Sequence, residues 1–143
     1  MTSMNIPTIA PADARRRLVG GSAILVDIRE PMEHAREAIR GARLEPLSAL
    51  NPGNLAAAAG AGAKAVIFHC QSGKHTSDNT ARLASCGAVE MYLLEGGLLG
   101  WKAAGYSTRT NRGKARIYNR TAGKLKLSEA RRYAFWLFGG GRS

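Results

Sequence analysis

The sequence predicts one α/β domain with a mostly parallel sheet, and three observations support this fold class. Two near-continuous apolar runs, 23–28 (AILVDI) and 65–70 (AVIFHC), are typical of strands buried on both faces. Segments with helix start and stop signals lie between such runs. The chain has 143 residues, of which 45% are hydrophobic, enough for one core. We therefore expect strands and helices to alternate along the chain.

Three segments in the first half of the chain predict helices. Segment 11–21 begins with proline and ends with glycine. Segment 30–41 (EPMEHAREAIRG) has Pro31 in its first turn, acids early and Gly41 after its last turn. The Ala/Gly-rich segment 47–62 predicts a helix followed by a loose loop.

The second half of the chain continues the alternation. Segment 76–87 (TSDNTARLASCG) predicts a helix with polar capping groups at its start and glycine at its end. Segment 89–97 predicts a strand closed by a double glycine, and 98–105 predicts a last short helix. Reactive groups in such folds gather beyond the carboxyl ends of strands, and Cys70 lies at one of these ends.

The net charge of +11 is concentrated at the C-terminus. Residues 107–143 carry ten Lys/Arg and one acid (10 − 1 = +9), whereas residues 1–106 carry eleven bases and nine acids (11 − 9 = +2). We therefore expect a domain over 1–106 and a basic extension over 107–143. Within the extension, 127–138 (LSEARRYAFWLF) suits an amphipathic helix. Such a segment suits an anionic membrane surface, a partner groove or nucleic acid, and also a solvated tail or a helix docked on the domain.

Several classes of protein are not indicated. No apolar run reaches the roughly 18 residues of a membrane span, and the N-terminus lacks the apolar region of a secretory signal. The two cysteines, Cys70 and Cys86, make no disulfide framework or zinc-ligand spacing. These features favour a cytoplasmic protein without a metal. Cys86 lies at a predicted helix end, where we expect a packed core thiol.

The loop that follows Cys70 (CQSGKHT) suits a reactive thiolate. Gly73 lets the backbone curl so that its N–H groups converge on the sulfur. A helix predicted to begin near Thr76 would direct its positive end toward it, and Lys74 and His75 add donor groups. The alternative is that Cys70 is a small core residue at the end of a strand.

A phosphatase cradle is a second interpretation of this loop. Such cradles resemble His-Cys followed by five residues and an arginine that grips phosphate oxygens. The chain begins with His69 and Cys70 but has Thr76 where the arginine is needed. The next arginine downstream, Arg82, is expected to point elsewhere, so the phosphatase interpretation is the weaker one.

Three ordered blocks resemble the single-domain rhodanese family of sulfurtransferases. Block 25–50 is similar to a V-D-x-R-x-x-x-E segment followed by Gly-Ala, and block 70–76 to C-x-x-G-x-R-[ST]. Block 94–106 is similar to a closing G-G-x-x-x-W-x-x-x-G. The resemblance implies a parallel sheet flanked by helices on both faces and a Cys70 that carries a persulfide, with a sulfur-transfer loop over 70–75.

Two positions depart from the family pattern. His75 stands where the family often has arginine, so binding of an anionic donor could weaken or become pH-dependent. Glu37–Arg40 also replaces the family's usual motif before Gly41. Neither change removes the nucleophile.

The mechanism that the resemblance implies needs no organic cofactor or metal. Cys70 attacks the outer sulfur of an anionic donor such as thiosulfate, and cyanide, a thiol or a protein acceptor then takes the sulfur. The donor would be held by the loop and by one further cation, namely Gln71, Ser72, Gly73, Lys74, His75, Thr76 and Arg29. Asp27 and Arg29 lie at a strand end and resemble a family pair, which is expected to order the active-site side of the fold rather than to do chemistry, with Asp27 as structural support. The alternative is a noncatalytic rhodanese-like binding module.

Four other features have structural interpretations. His69 is expected to point to the opposite face of its strand from Cys70, because neighbouring residues alternate. His34 is expected to be solvated or to cap a helix. Trp101 is expected to pack the last helix on the sheet, and Glu95–Gly97 to form a tight strand-to-helix turn.

Overall fold

The computed structural model describes residues 6–59, 64–87 and 90–110. The predicted amphipathic helix over 127–138 and the remainder of the basic extension from residue 111 lie outside these residues. Residues 60–63 of the predicted loose loop also lie outside them.

The described chain alternates short strands and helices, as expected for an α/β domain. The strands are β1 (Thr8–Ile9), β2 (Ala23–Asp27), β3 (Glu37–Ala38), β4 (Arg43–Leu44), β5 (Ala65–His69), β6 (Met91–Leu94) and β7 (Arg109–Thr110). The helices are α1 (Pro11–Val19), α2 (Pro31–Arg36), α3 (Pro52–Ala58), α4 (Lys74–Asp78), α5 (Thr80–Ala84) and α6 (Gly97–Ala103), with a 3-10 turn at Leu47–Ala49.

Five strands form a parallel sheet in the order β1-β6-β5-β2-β4. The two most apolar strands, β2 and β5, pair along their whole length near the centre, where both faces are covered. Their register places Asp27 beside His69 at the carboxyl end. The residues that follow β5, β2 and β6 therefore gather at the same edge of the sheet.

Helices cover both faces of this sheet, which confirms the predicted fold class. On one face, Leu55 of α3 and Leu83 of α5 pack against Val66 and Phe68 of β5. On the other, Ala14 of α1 and Leu98 and Trp101 of α6 pack against the alternate residues of the strands, namely Leu25, Ile67 and Leu94. Burial of one Leu-sized side chain stabilises the fold by roughly 1.5–3 kcal/mol.

The predicted helix over 30–41 ends earlier than expected, at Arg36. Glu37 is extended (φ −156°, ψ 134°), and β3 pairs antiparallel with β7. The Oγ1 of Thr108 donates to the Glu37 carboxylate at 2.5 Å. Strand pairing thus overrides the helical pattern. The two residues of β7, Arg109 and Thr110, lie beyond the predicted domain boundary at 106 and still pair with β3.

The predicted helix over 76–87 is also different, because it begins at Lys74 and is divided at Asn79 (φ −127°). Three polar side chains compete for backbone groups there. Thr76 donates to Gly73 O at 2.9 Å, Ser77 to Lys74 O at 3.0 Å and Asn79 to His75 O at 2.7 Å. Such local bonds weaken a continuous helix. No helix in the described part of the chain is long and apolar enough to span a membrane.

Candidate active site

Cys70 directly follows β5 and is fixed by the start of α6. Its carbonyl oxygen accepts a hydrogen bond from Leu98 N–H at 2.9 Å, and that of Gln71 accepts from Leu99 N–H at 3.0 Å. The predicted tight turn before α6 is present, with Gly96 at φ +73° and Gly97 at φ +59°. The start of the loop is therefore held against a second backbone segment.

The Sγ of Cys70 accepts a hydrogen bond from the N–H of Gly73 at 3.0 Å. Gly73 has φ +95°, a conformation that favours glycine. Thr76 is fully buried, and its Oγ1 lies 4.0 Å from Sγ while it donates to Gly73 O. Thr76 thus holds the turn that directs the Gly73 amide at the sulfur. Several loop N–H groups were expected to converge on Sγ, and the N–H of Gly73 makes this contact.

Cys70 is more enclosed than a nucleophile that faces an open pocket. Only 1% of the residue is exposed, and it belongs to the same apolar cluster as Ile28, Phe68 and Leu83. The sulfur therefore combines the packing of a core thiol with a directed amide donor.

Asp27 and Arg29 form a buried ion pair below the loop. The side chains are 0% and 4% exposed, and Nη2 of Arg29 lies 2.9 Å from Oδ2 of Asp27. Arg29 Nε and its backbone N–H also donate to Oδ1 of Asp27, at 3.0 and 2.9 Å. Burial opposes ionisation of Asp27, but hydrogen bonds from His34 and Arg29 and nearby positive charge outweigh it, so the pKa of Asp27 is well below its usual range.

Arg29 also connects this pair to the loop. Its Nη1 donates to Oε1 of Gln71 at 3.1 Å. This contact brings Arg29, which Asp27 holds, next to the residue that follows Cys70.

His34 is not solvated, contrary to the expectation from sequence. It is 1% exposed, and its Nδ1–H donates to Oδ2 of Asp27 at 2.7 Å. Burial lowers the pKa of His34, although Asp27 acts in the opposite direction. His34 and Ala35 are the two buried residues of the short helix α2, which ends at Arg36 just before β3.

His69 lies on the other side of β5 from the apolar cluster that contains Cys70, as strand alternation predicts. Its Nδ1–H donates to the Cys70 carbonyl at 3.0 Å, and Nε2 lies 3.8 Å from Oδ2 of Asp27 with no hydrogen-bond partner among the described residues. Burial is the main cause that lowers the pKa of His69. Two buried imidazoles thus flank the Asp27 carboxylate, and burial disfavours the charged form of each.

The other loop residues face outward. Ser72 is exposed, and exposed Lys74 pairs with Asp78 at 3.1 Å. His75 is exposed and lines a cavity of about 310 Å³ together with Arg29 and Arg82. Arg82, which was expected to point away from Cys70, lines this cavity from α5, and Cys70 is not among the residues that line it.

Cys86 and Trp101 take the positions expected from sequence. Cys86 is 4% exposed, with its Sγ 3.6 Å from Sδ of Met91. Trp101 packs α6 on the sheet, and its Nε1–H donates to Ser107 O at 3.1 Å. Among the described residues, no three His, Cys, Asp or Glu side chains are grouped to hold a metal ion.

Comparison with known proteins gives a consistent family match. The model of the family described as Rhodanese-like domain matches residues 10–104. A protein of Synechocystis, slr1261, which carries the description uncharacterized, is 41% identical over 107 residues, covering 75% of this chain and 58% of that protein. The probable adenylyltransferase/sulfurtransferase MoeZ of Mycobacterium tuberculosis is 32% identical over 95 residues, covering 66% of this chain and 24% of MoeZ.

A structural comparison supports the same fold. The rhodanese-like domain of the Alr3790 protein from Anabaena has a TM-score of 0.62 and 23% identity, covering 76% of this chain and 83% of that domain. At this identity the likeness concerns the fold. The chain spans less than two thirds of the length of the two curated relatives, so the activities of those whole proteins are not transferred with the match.

Proposed function

Because the chain belongs to the rhodanese-like domain family, we propose that it is a sulfurtransferase that carries sulfane sulfur as a persulfide on Cys70. The donor is a small anion such as thiosulfate, and the acceptor is a thiol, a protein sulfur carrier or, in an assay, cyanide. The observation that carries the proposal is the hydrogen bond of 3.0 Å from Gly73 N–H to Cys70 Sγ.

This hydrogen bond favours the chemistry because an amide donor stabilises a sulfur anion more than a neutral thiol. Thr76 and the strand end fix the geometry, so the amide remains directed at the sulfur. After transfer, the terminal persulfide sulfur also carries negative charge and needs donors of the same kind.

The reaction proceeds in two balanced displacements. The Cys70 thiolate attacks the outer sulfur of thiosulfate, a new S–S bond forms, and the electron pair of the donor's S–S bond leaves with sulfite. Cyanide or a thiolate then attacks the terminal sulfur of the persulfide. That step returns the electron pair to Cys70 and regenerates the thiolate.

The donor reaches Cys70 when the exposed part of the loop, Gln71 and Ser72, moves aside while the Gly73 amide stays directed at the sulfur. Cys70 is 1% exposed, while Gln71 and Ser72 are exposed and His75 lines the neighbouring cavity. Movement of exposed loops on the ns–μs timescale suffices for such access. The Arg29–Gln71 hydrogen bond is one contact that this movement has to break or carry with it, and the bond from Leu99 N–H to Gln71 O is another.

Intact-protein mass spectrometry after incubation with thiosulfate tests the proposal. We expect a mass gain of one sulfur atom, its removal by cyanide, and its absence in Cys70→Ser. Cys86→Ser is the matched control, because it removes the other cysteine and should still be loaded. A wild-type protein that gains no sulfur, or a Cys70→Ser variant that transfers sulfur at the full rate, contradicts the proposal.

A noncatalytic binding module is the second candidate, and the burial of Cys70 favours it. In that case the thiol contributes to packing, and the fold presents a surface to a partner. The same experiment separates the candidates: an unloaded wild type supports the module, whereas persulfide formation at Cys70 supports the enzyme.

A further inference from the structure

A cavity of about 310 Å³ lies beside the Cys70 loop, near the lower end of the volumes that hold small ligands. His75 of α4 and Arg82 of α5 contribute to its lining, as do Glu30 and Glu33 around the start of α2. Arg29 of the buried ion pair also borders it. The cavity therefore contains charged groups of both signs next to the candidate nucleophile's loop.

Arg82 is fixed at this cavity by one hydrogen bond. Its Nη2 donates to the carbonyl oxygen of Leu47 at 2.8 Å, which ties α5 to the segment before α3. No other hydrogen bond or ion pair of the Arg82 guanidinium is found within residues 6–59, 64–87 and 90–110. The remaining N–H groups of a planar guanidinium are thus free to bind a ligand.

The other guanidinium at the cavity is already occupied. Arg29 donates to Asp27, to Gln71 and to the carbonyl of Glu37, and its side chain is 4% exposed. Arg29 therefore supports the loop, whereas exposed Arg82 has donors to offer.

Each of the two acids of the cavity accepts a hydrogen bond from a neighbouring residue of the same lining. Glu30 accepts from the Ser48 hydroxyl at 3.0 and 3.1 Å, and Glu33 accepts from the backbone N–H of Glu30 at 3.2 Å. Neither acid forms an ion pair with Arg82 in the part of the chain that the structure describes. The positive charge of Arg82 is therefore not cancelled by a direct partner there.

We propose that Arg82 is a specificity-determining residue that binds the oxyanion end of the sulfur donor. The loop itself has no arginine, since His75 and Thr76 follow Lys74, and Arg82 of the next helix lines the same cavity as His75. The guanidinium fork matches the paired oxygens of a sulfonate group, as in thiosulfate or an organic thiosulfonate. This inference rests on the proposed function and names the donor class of that site.

The expected effect falls mainly on donor binding. A thiolate and a dianionic donor repel each other, and a guanidinium at the cavity offsets this repulsion before the S–S bond changes. Loss of Arg82 should therefore raise KM for thiosulfate about tenfold while kcat stays within about twofold. High salt should make the difference in KM between wild type and a variant without Arg82 smaller, because salt screens the charge of an exposed side chain.

The experiment compares wild type, Arg82→Gln, Arg82→Lys and Arg36→Gln. Arg36 is exposed on α2, does not line the cavity and gives the same change in net charge. Arg82→Lys keeps the charge and a donor for Leu47 O, so it should recover part of the loss. Thiosulfate kinetics and the rate of Cys70 persulfide formation are the first two readouts.

A third readout does not depend on sulfur transfer. The rates at which iodoacetate and iodoacetamide alkylate Cys70, followed by peptide mass spectrometry, compare an anionic with a neutral reagent at the same sulfur. We expect Arg82→Gln to lower the iodoacetate/iodoacetamide ratio severalfold and Arg36→Gln to leave it unchanged.

The outcomes separate the two proposals. An Arg82→Gln variant that matches Arg36→Gln in KM and in the alkylation ratio overturns the role of Arg82, even if wild type forms a persulfide. A wild type that forms no persulfide but shows an Arg82-dependent alkylation ratio overturns the sulfurtransferase proposal and leaves the anion site in place. If Arg82→Gln fails to fold, Arg82→Lys decides through its KM: a KM for thiosulfate severalfold above that of wild type supports binding by the guanidinium fork, whereas a wild-type KM contradicts it.

Discussion

Gly97 packs so closely against Cys70 that a Cβ built on Gly97 would lie 2.5 Å from the Cys70 carbonyl oxygen. The same Cβ would lie 2.9 Å from the carbonyl carbon and oxygen of Gln71. The double glycine that ends β6 is therefore more than a turn signal. It allows the start of α6 to bind the loop that carries the candidate nucleophile.

Gly97→Ala should displace this loop and lower Cys70 persulfide formation by more than tenfold. The methyl group meets backbone atoms, and the residue also has φ +59°. Gly41→Ala is the control, because Gly41 has φ +83° with open space around it and reports only the cost of the left-handed conformation, about 1–2 kcal/mol. Urea unfolding and persulfide mass spectrometry check both variants, and equal effects in the two would contradict the packing argument.

Asp27→Asn should destabilise the fold by about 3–5 kcal/mol, because it leaves a buried guanidinium without its counter-charge. The matched control is Asp13→Asn, which breaks an exposed pair with Arg16 and should change stability little. Chemical denaturation measures both. Similar losses of unfolding free energy in the two variants would show that the Asp27 pair is not the main support of the loop.

The sequence was informative about the sheet because β2 and β5 are apolar up to their last residues, Asp27 and His69, which is typical of strands in a parallel sheet buried on both faces. It was misleading where pairing between distant segments decides the structure. Glu37 lies in a segment with a helical pattern, yet Glu37 and Ala38 pair with Thr110 and Arg109 in a two-stranded antiparallel sheet. No local signal reports a partner about seventy residues away.

The same distinction applies to the candidate site. Cys70 and Gly73 could be identified because a strand end followed by a glycine loop is a local pattern. The places of His34 and Arg82 depend on where α2 stops and on the break at Asn79, and both are consequences of tertiary contacts. The one sequence feature that pointed to burial of His34 is its neighbour Ala35, a small apolar residue that is also buried in α2.

Cys86→Ala should leave the rate of Cys70 persulfide formation unchanged and cost about 1 kcal/mol of stability. The thiol is packed against Met91 in the core, and substitution removes one buried atom. Thiosulfate turnover and urea unfolding are the measurements. A large fall in turnover with stability retained would instead assign Cys86 a role in resolving the persulfide.

The basic extension should confer salt-sensitive binding to anionic surfaces. Residues 111–143 carry nine Lys/Arg and one acid (9 − 1 = +8). We propose that full-length protein binds phosphatidylserine-containing vesicles or DNA at low salt, that 1–110 binds far less, and that binding weakens as salt rises. Cosedimentation with vesicles and a DNA mobility assay distinguish the two partners. Equal binding by full-length protein and by 1–110 would contradict the proposal.

Stability should fall as the pH drops below about 6.5, the unfolded-state pKa of histidine. Burial lowers the pKa values of His34 and His69 in the folded protein, so the unfolded chain binds more protons in this range and is favoured. Asp27 adds nothing to this slope, because its lowered pKa keeps it ionised throughout. Urea unfolding at pH 7.5 and 5.5 measures the change, and His34→Asn, which keeps a donor for Asp27, should make it smaller. A free energy of unfolding that is equal at both pH values would mean that the two imidazoles accept protons in the folded state, with Asp27 as their shared counter-charge.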